Sequence, residues 1–294
     1  MDRQNKQNGQ ISLTMITDSQ TNFLYLADTL PTKYSDFYKR FEKVLTDCNI
    51  EFALLPQTKD VWAVDYMPIQ TDLNKFVRFV YNPSYLQTKK YLKTISDVDG
   101  ICKEIGIDTF KTDIILDGGN VTRWTNKVIM TDRVFVDNPN YERKQLIRKL
   151  HELLQIDKLY FVPEQPGDFT GHSDGMVRFI DENTVVINNY SQEKEWFHRA
   201  FEIAIHNTGL DYIKIPYNVY GNKSNDQANG DYINYLQMEN TVIIPTFGIK
   251  EDNEVVRQLE TIFAGQTIAT VDSNEIANDG GILNCITWNI KTDK

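Results

Sequence analysis

Five times along the chain, a short run of apolar, β-branched residues is followed by a segment of helical spacing and then by a second apolar run. The opening runs are FLYLA from Phe23, FVRFVY from Phe76, KVIMT from Lys127, TVVIN from Thr184 and TVIIP from Thr241. The closing runs are FALLP, TDIIL, LYFVP, YIKIP and TIATV. Length and composition predict that all ten are buried strands. Between them, apolar residues recur at i, i+3 and i+4 over Tyr34–Cys48, Tyr141–Gln155, Glu193–Thr208 and Asn253–Ala264, predicting amphipathic helices. Leu146, Leu150, Leu153 and Leu154, for instance, mark one face.

The opening strands start roughly every 50 to 57 residues, a period that points to stacked or radially arranged units. Five β-α-β units can build an open doubly wound sheet or a closed ring. Asp65, Asp117, His172 with Asp174, and Cys285 each follow the closing strand of a different unit. A ring would gather those positions at its centre, whereas an open sheet would separate the first unit from the last. The distribution favours the ring.

Composition narrows the partners. The chain of 294 residues has a net charge of -10, which argues against a nucleic-acid partner and is compatible with a cationic ligand. No apolar run approaches the roughly 18 to 20 residues of a membrane span. The polar opening, MDRQNKQNGQ, reads as a loose tail over residues 1–10, leaving 11–294 as one domain. Three cysteines without CxxC spacing fit a reducing cytoplasm. Cys48 and Cys102 fall in helix patterns and read as core residues. No oligomeric state follows from the pattern, and association of copies is compatible with it.

Cys285 stands apart, in DGGILNCIT close to the end of the sequence. It reads either as a small buried apolar residue or as a nucleophile, for which a thiolate and a supporting environment are needed. Gly280 and Gly281 would let a backbone approach a ligand, and their N–H groups would suit an anion. In GHSDGMVRF, an extended backbone would point His172 and Asp174 to one face. His172 then suits general acid/base work better than metal binding, because no second ligand lies at metal spacing. In VWAVDYMP, Asp65 sits at the end of an apolar strand, where burial demands a cation or donors. Trp62 beside it would pack on that cation or fill core. Asp117 in LDGGN reads, by itself, as a turn residue. Together, one thiol, one imidazole and several carboxylates suit a planar guanidinium, always charged and best held by carboxylates.

The segments KDVWAVDYMPIQ, LDGGNV, GHSDGMVRF, GDYINYLQMENTVIIPTFG and GGILNCIT resemble, in order, the agmatine deiminase and Porphyromonas-type peptidylarginine deiminase family of the guanidino-group-modifying (pentein) superfamily. The resemblance covers the chain from about residue 60 to its end. It implies an α/β fold, a five-bladed propeller of pseudo-symmetric ββαβ units, with hydrolysis of a guanidine to a urea and ammonia and no metal or organic cofactor. It implies that Cys285 attacks the guanidine carbon, that His172 protonates the departing ammonia and activates water, and that Asp65 and Asp174 clamp the guanidinium. Asp117 would support His172 or the substrate, and Asn234 would line the pocket. Two positions depart from the family pattern: Val64 stands where Arg is common, and Asn284 where His is common. Agmatine is the favoured substrate. Arginine or peptidyl-arginine deimination, amidino transfer, and non-catalytic sensing of a cation are the alternatives. A substrate carboxylate would want an arginine at the mouth, and Arg78, Arg123 and Arg178 are the candidates.

Overall fold

The computed structural model describes residues 15–293, so the tail read over residues 1–10 lies outside the described residues. The ten strands read from the pattern are present. They are the middle strands β1 (Phe23–Ala27), β4 (Lys75–Val80), β7 (Lys127–Thr131), β10 (Thr184–Asn188) and β13 (Thr241–Thr246), and the outer strands β2 (Phe52–Leu55), β5 (Thr109–Ile115), β8 (Lys158–Val162), β11 (Asp211–Ile215) and β14 (Thr267–Asp272). Each middle strand runs parallel to its outer strand, as a β-α-β connection requires.

The four expected helices run over Ser35–Asp47, Arg143–Leu154, Glu195–Thr208 and Asp252–Ile262. A fifth, shorter one over Val98–Glu104 serves the second unit. Three of them bury the same spacing, i, i+4 and i+8: Phe37, Phe41 and Leu45; Leu146, Leu150 and Leu154; Phe197, Phe201 and Ile205. Those side chains form the core between each helix and its sheet. Leu153 is only partly buried and packs at the edge of its cluster.

Each sheet has a third strand of three or four residues: β3 (Ile69–Asp72), β6 (Thr122–Trp124), β9 (Val177–Phe179), β12 (Leu236–Met238) and β15 (Thr287–Ile290). These short strands pair antiparallel to the middle strands. The chain leaves one sheet by its outer strand and enters the next by this short strand, so every crossover joins neighbouring sheets. The first sheet takes its short strand from the far end of the sequence, with Phe23 opposite Ile290 and Leu26 opposite Thr287. That pairing closes five three-stranded sheets into a five-bladed α/β propeller. The short strands carry polar residues into the interior, including Gln70, Arg178, Gln237 and Asn289, all buried. A polar axis therefore runs inside an apolar ring.

Candidate active site

The five crossovers meet at one end of this axis. The first holds Asp65 in a single helical turn, Ala63–Tyr66, rather than at the end of a strand as the apolar pattern suggested. The turn closes with Met67 N–H on the Ala63 carbonyl and stops before Pro68, which holds Met67 extended. In the second and third crossovers, Asp117 and His172 each sit just before a 3-10 turn, Gly118–Asn120 and Ser173–Gly175. Asp174 lies within that turn. The expected extended i, i+2 pairing of His172 and Asp174 is thus replaced by a tighter bend, which still turns both into the site. The fourth crossover contributes Asn234 and the fifth Cys285.

The parts interlock through hydrogen bonds across the ring. His172 Nε2 lies 3.0 Å from Asp117 Oδ2, and its Nδ1 lies 3.4 Å from Asp65 Oδ1. The Gly119 N–H donates to Asp65 Oδ1 at 3.2 Å. Asp174 Oδ2 accepts from Asn284 Nδ2 at 2.6 Å and lies 3.9 Å from Cys285 Sγ. Asn234 is buried beneath the cysteine, its Oδ1 accepting the Cys285 N–H at 3.2 Å, so it supports the loop. Val64 N–H donates to the Cys285 carbonyl at 3.3 Å, which ties the first crossover to the fifth.

The electrostatics follow from packing three carboxylates around one imidazole out of water. Burial favours a neutral ring at His172. Asp65 and the hydrogen-bonded Asp117 outweigh that and raise it to about 10. Burial, then repulsion from Asp117 and Asp174, holds Asp65 well above the usual carboxylate range against the pull of His172. Burial also raises Asp174, opposed by His172 and the Asn284 amide. The Cys285 thiol is pushed well up by burial and by the charges of Asp174 and Asp65. The balance is therefore an imidazolium at His172 and a protonated thiol at Cys285. A cation placed between Asp65 and Asp174 would cancel the field that holds the thiol proton, and so favour the thiolate.

Trp62 packs closely against the loop carrying Cys285: a Cβ built on Gly281 would fall 2.2 Å from its ring. Gly280 adopts φ +96°, and its N–H caps the short helix Asn274–Ala277 by donating to Ala277. The expected anion-binding role of that N–H is thus displaced by a structural one.

The three arginines read as mouth candidates are engaged elsewhere. Arg78 pairs with Asp99 at 3.1 Å, and Arg123 and Arg178 pair with Asp18 at 3.1 and 2.7 Å on the axis.

Two contributors escaped the sequence reading. Tyr85 donates to Asp117 Oδ2 at 2.8 Å and packs edge-on against Phe169. Arg133 bonds Glu164, the Phe169 carbonyl and Ser84 around the same rim. Tyr85 lies in a stretch without periodicity, so nothing in the pattern marks it. Among the described residues, no group of His, Cys, Asp and Glu is arranged as a metal site, and no helix is long and apolar enough to cross a membrane.

Residues 14–290 match the model of the Porphyromonas-type peptidyl-arginine deiminase family. A Mycoplasma mycoides protein provisionally named agmatine deiminase is 24% identical over 228 residues, covering 66% of this chain. The chain spans 62% of that relative's length. Among solved structures, the agmatine deiminase of C. jejuni superposes with a TM-score of 0.79 at 21% identity, over 96% of this chain and 97% of that one. A cysteine-to-serine variant of that enzyme with substrate bound superposes with a TM-score of 0.80 at 20% identity, over the same shares.

Proposed function

Because this chain belongs to the Porphyromonas-type peptidyl-arginine deiminase family, we propose that it hydrolyses the guanidine group of a small arginine-derived molecule, agmatine being favoured, to a ureido product and ammonia. The observation that carries this reading is the convergence of Cys285, His172, Asp65 and Asp174 from three separate crossovers. Asp65 and Asp174 hold the guanidinium between them by charge-assisted hydrogen bonds. Their charges are thereby compensated, and the Cys285 thiol releases its proton to solvent water.

The thiolate then attacks the guanidine carbon, forming the C–S bond. His172, an imidazolium between Asp65 and Asp117, gives its proton to the departing nitrogen, and ammonia leaves as the C–N bond breaks. The neutral ring next takes a proton from water as the oxygen attacks the amidino carbon. Collapse of that adduct breaks the C–S bond, and the hydroxyl proton passes to the leaving sulfur, which returns the Cys285 thiol with the ureido product. Asp117 and Tyr85 keep the ring oriented throughout.

Agmatine is favoured over arginine because Arg78, Arg123 and Arg178 are all paired away from the mouth, leaving none of them to receive a carboxylate. The relative of similar fold that was solved with substrate bound is named an agmatine deiminase, which supports the same choice. The test is to incubate the protein with agmatine, free arginine and arginyl peptides, measuring ammonia and ureido product. Ornithine or glycine added as acceptor would expose amidino transfer, which releases no ammonia. Cys285→Ser should abolish turnover, and retained turnover would remove it as nucleophile. Absence of turnover on every guanidine by folded protein would sink the reading.

A further inference from the structure

A second guanidinium–carboxylate arrangement lies on the axis, directly behind the site, and both of its partners belong to the protein. Arg178 on β9 is 3% exposed. Its Nη2 donates to Asp18 Oδ2 at 2.7 Å, its Nη1 donates to the Tyr235 carbonyl at 3.0 Å, and its guanidinium lies 4.8 Å over the Tyr235 ring. Arg123 on β6 donates to the other oxygen, Asp18 Oδ1, at 3.1 Å, with Asn289 at 3.5 Å beside it. Asp18 comes from the segment preceding β1, whose Thr21 carbonyl is held by the Glu239 N–H and whose Thr17 and Gln20 cap the turn carrying it.

Asp18, Arg123, Arg178 and Asn289 line one narrow cavity of about 30 Å³ together with apolar side chains such as Met67 and Trp288, and Asp174 and Asn284 line it too. Across that space Arg178 and Asp174 each favour the charged form of the other. Arg178 is thus a guanidinium within the field of two carboxylates. One of them is the group that would clamp a substrate of the same chemistry.

We infer that Asp18 is a positioning residue for the active site: by occupying the forks of Arg178 and Arg123 it keeps the protein's own guanidinium off Asp174, which stays open to the substrate's. The inference rests on the reading of Asp174 as a substrate clamp. Its physical basis is that a buried cation cannot remain unpaired. Without the charge of Asp18, the cavity would hold two arginines and a single carboxylate, Asp174. The planar fork of Arg178 matches a carboxylate as well as the substrate does, so it would compete as an internal inhibitor.

The experiment reads the site through Cys285 and needs no turnover. Alkylation of Cys285 by cationic 2-chloroacetamidine and by its neutral analogue 2-chloroacetamide is followed by peptide mass analysis, with melting curves checking the fold. Wild type should react faster with the cation. Asp18→Asn should lower the amidine rate by about tenfold or more, the ordinary worth of a charge-assisted contact, and leave the amide rate unchanged. Asp18→Glu should stay near wild type. Adding Arg178→Gln to Asp18→Asn should restore the amidine rate, an outcome that a merely structural role for Asp18 would not produce.

A parallel fall in both rates, no fall, or no rescue would overturn the inference. If Asp18→Asn does not fold, Arg178→Gln alone carries the test: the amidine rate should hold at or above wild type, and a fall would overturn it. A wild type without preference for the cation would instead refute the clamp reading itself, and this inference with it.

Discussion

Adding one methyl group at Gly119 should disable the site while leaving the fold standing. Gly119 is not among the glycines with positive φ, so alanine there meets no backbone penalty. Its Cβ would lie 2.6 Å from Asp65 Oδ1 and 2.6 Å from His172 Nδ1. Carbon contacts become comfortable at roughly 3.5 Å, so each group must retreat by about 1 Å. That retreat would stretch the His172–Asp65 contact of 3.4 Å, the Gly119 N–H bond to Asp65 of 3.2 Å and the His172–Asp117 bond of 3.0 Å. A misplacement of about 1 Å costs on the order of 100-fold in rate, while overpacking costs roughly 1–3 kcal/mol of stability.

Gly119→Ala should therefore lower kcat/KM about 100-fold on whichever guanidine the wild type turns over, with a melting point reduced but a cooperative transition retained. An NMR titration of the His172 ring gives a second reading that does not depend on activity. Its pKa of about 10 is held up by Asp65 and Asp117 against burial, so withdrawing the carboxylates should move the midpoint down. Linkage gives the sign for stability. A folded pKa above the ordinary 6.5 adds stability that is fully present below 6.5 and is lost as pH rises to about 10. The variant should lose less than wild type over that window. Normal turnover together with an unmoved titration would refute the geometry on which the proposed chemistry rests.

Three further perturbations test separate links. Gly281→Ala would drive a methyl to 2.2 Å from the Trp62 ring; we expect KM for a guanidine to rise about tenfold or more as the ring shifts, and an unchanged KM would show that Trp62 does not face the substrate. Asp231, raised to about 8 by burial, with Asp174 and Asp168 adding to the effect against bonds from Ile233 and Asn188, ionises near 3.8 once unfolded. Wild type therefore loses stability as pH rises from 3.8 to about 8; the melting point of Asp231→Asn relative to wild type should climb through that window and then level, and a flat difference would contradict the burial. Leu150, fully buried on its helix, should cost about 2–5 kcal/mol as Leu150→Ala by urea unfolding; a cost below about 1 kcal/mol would mean that the helix does not anchor its blade.

The residue pattern alone carried the ten middle and outer strands, four of the five blade helices and their repeat, because those signals are local. Alternation and helical spacing are set by backbone geometry within a few residues. It also supplied the reactive residue types, since a buried carboxylate or a lone thiol after paired glycines is unusual wherever it falls. It missed the short strands as residue pattern, because segments such as TRW, VRF and LQM hold too few residues to show a period.

Tertiary structure decided the rest. Phe23 finds Ile290 across nearly the whole sequence, and only that closure turns a series of units into a ring with a centre. The ring then sets what each site residue meets. Gly119 must be glycine because two side chains from other blades press on it. Asp65 occupies a helical turn because of Pro68 and its packing neighbours. Arg178, legible as a candidate for the mouth, faces the axis because it stands on an innermost strand opposite Asp18. Sequence spacing fixes which way a side chain leaves its own backbone; which charges it meets depends on segments more than fifty residues away, brought there by burial of the apolar ring.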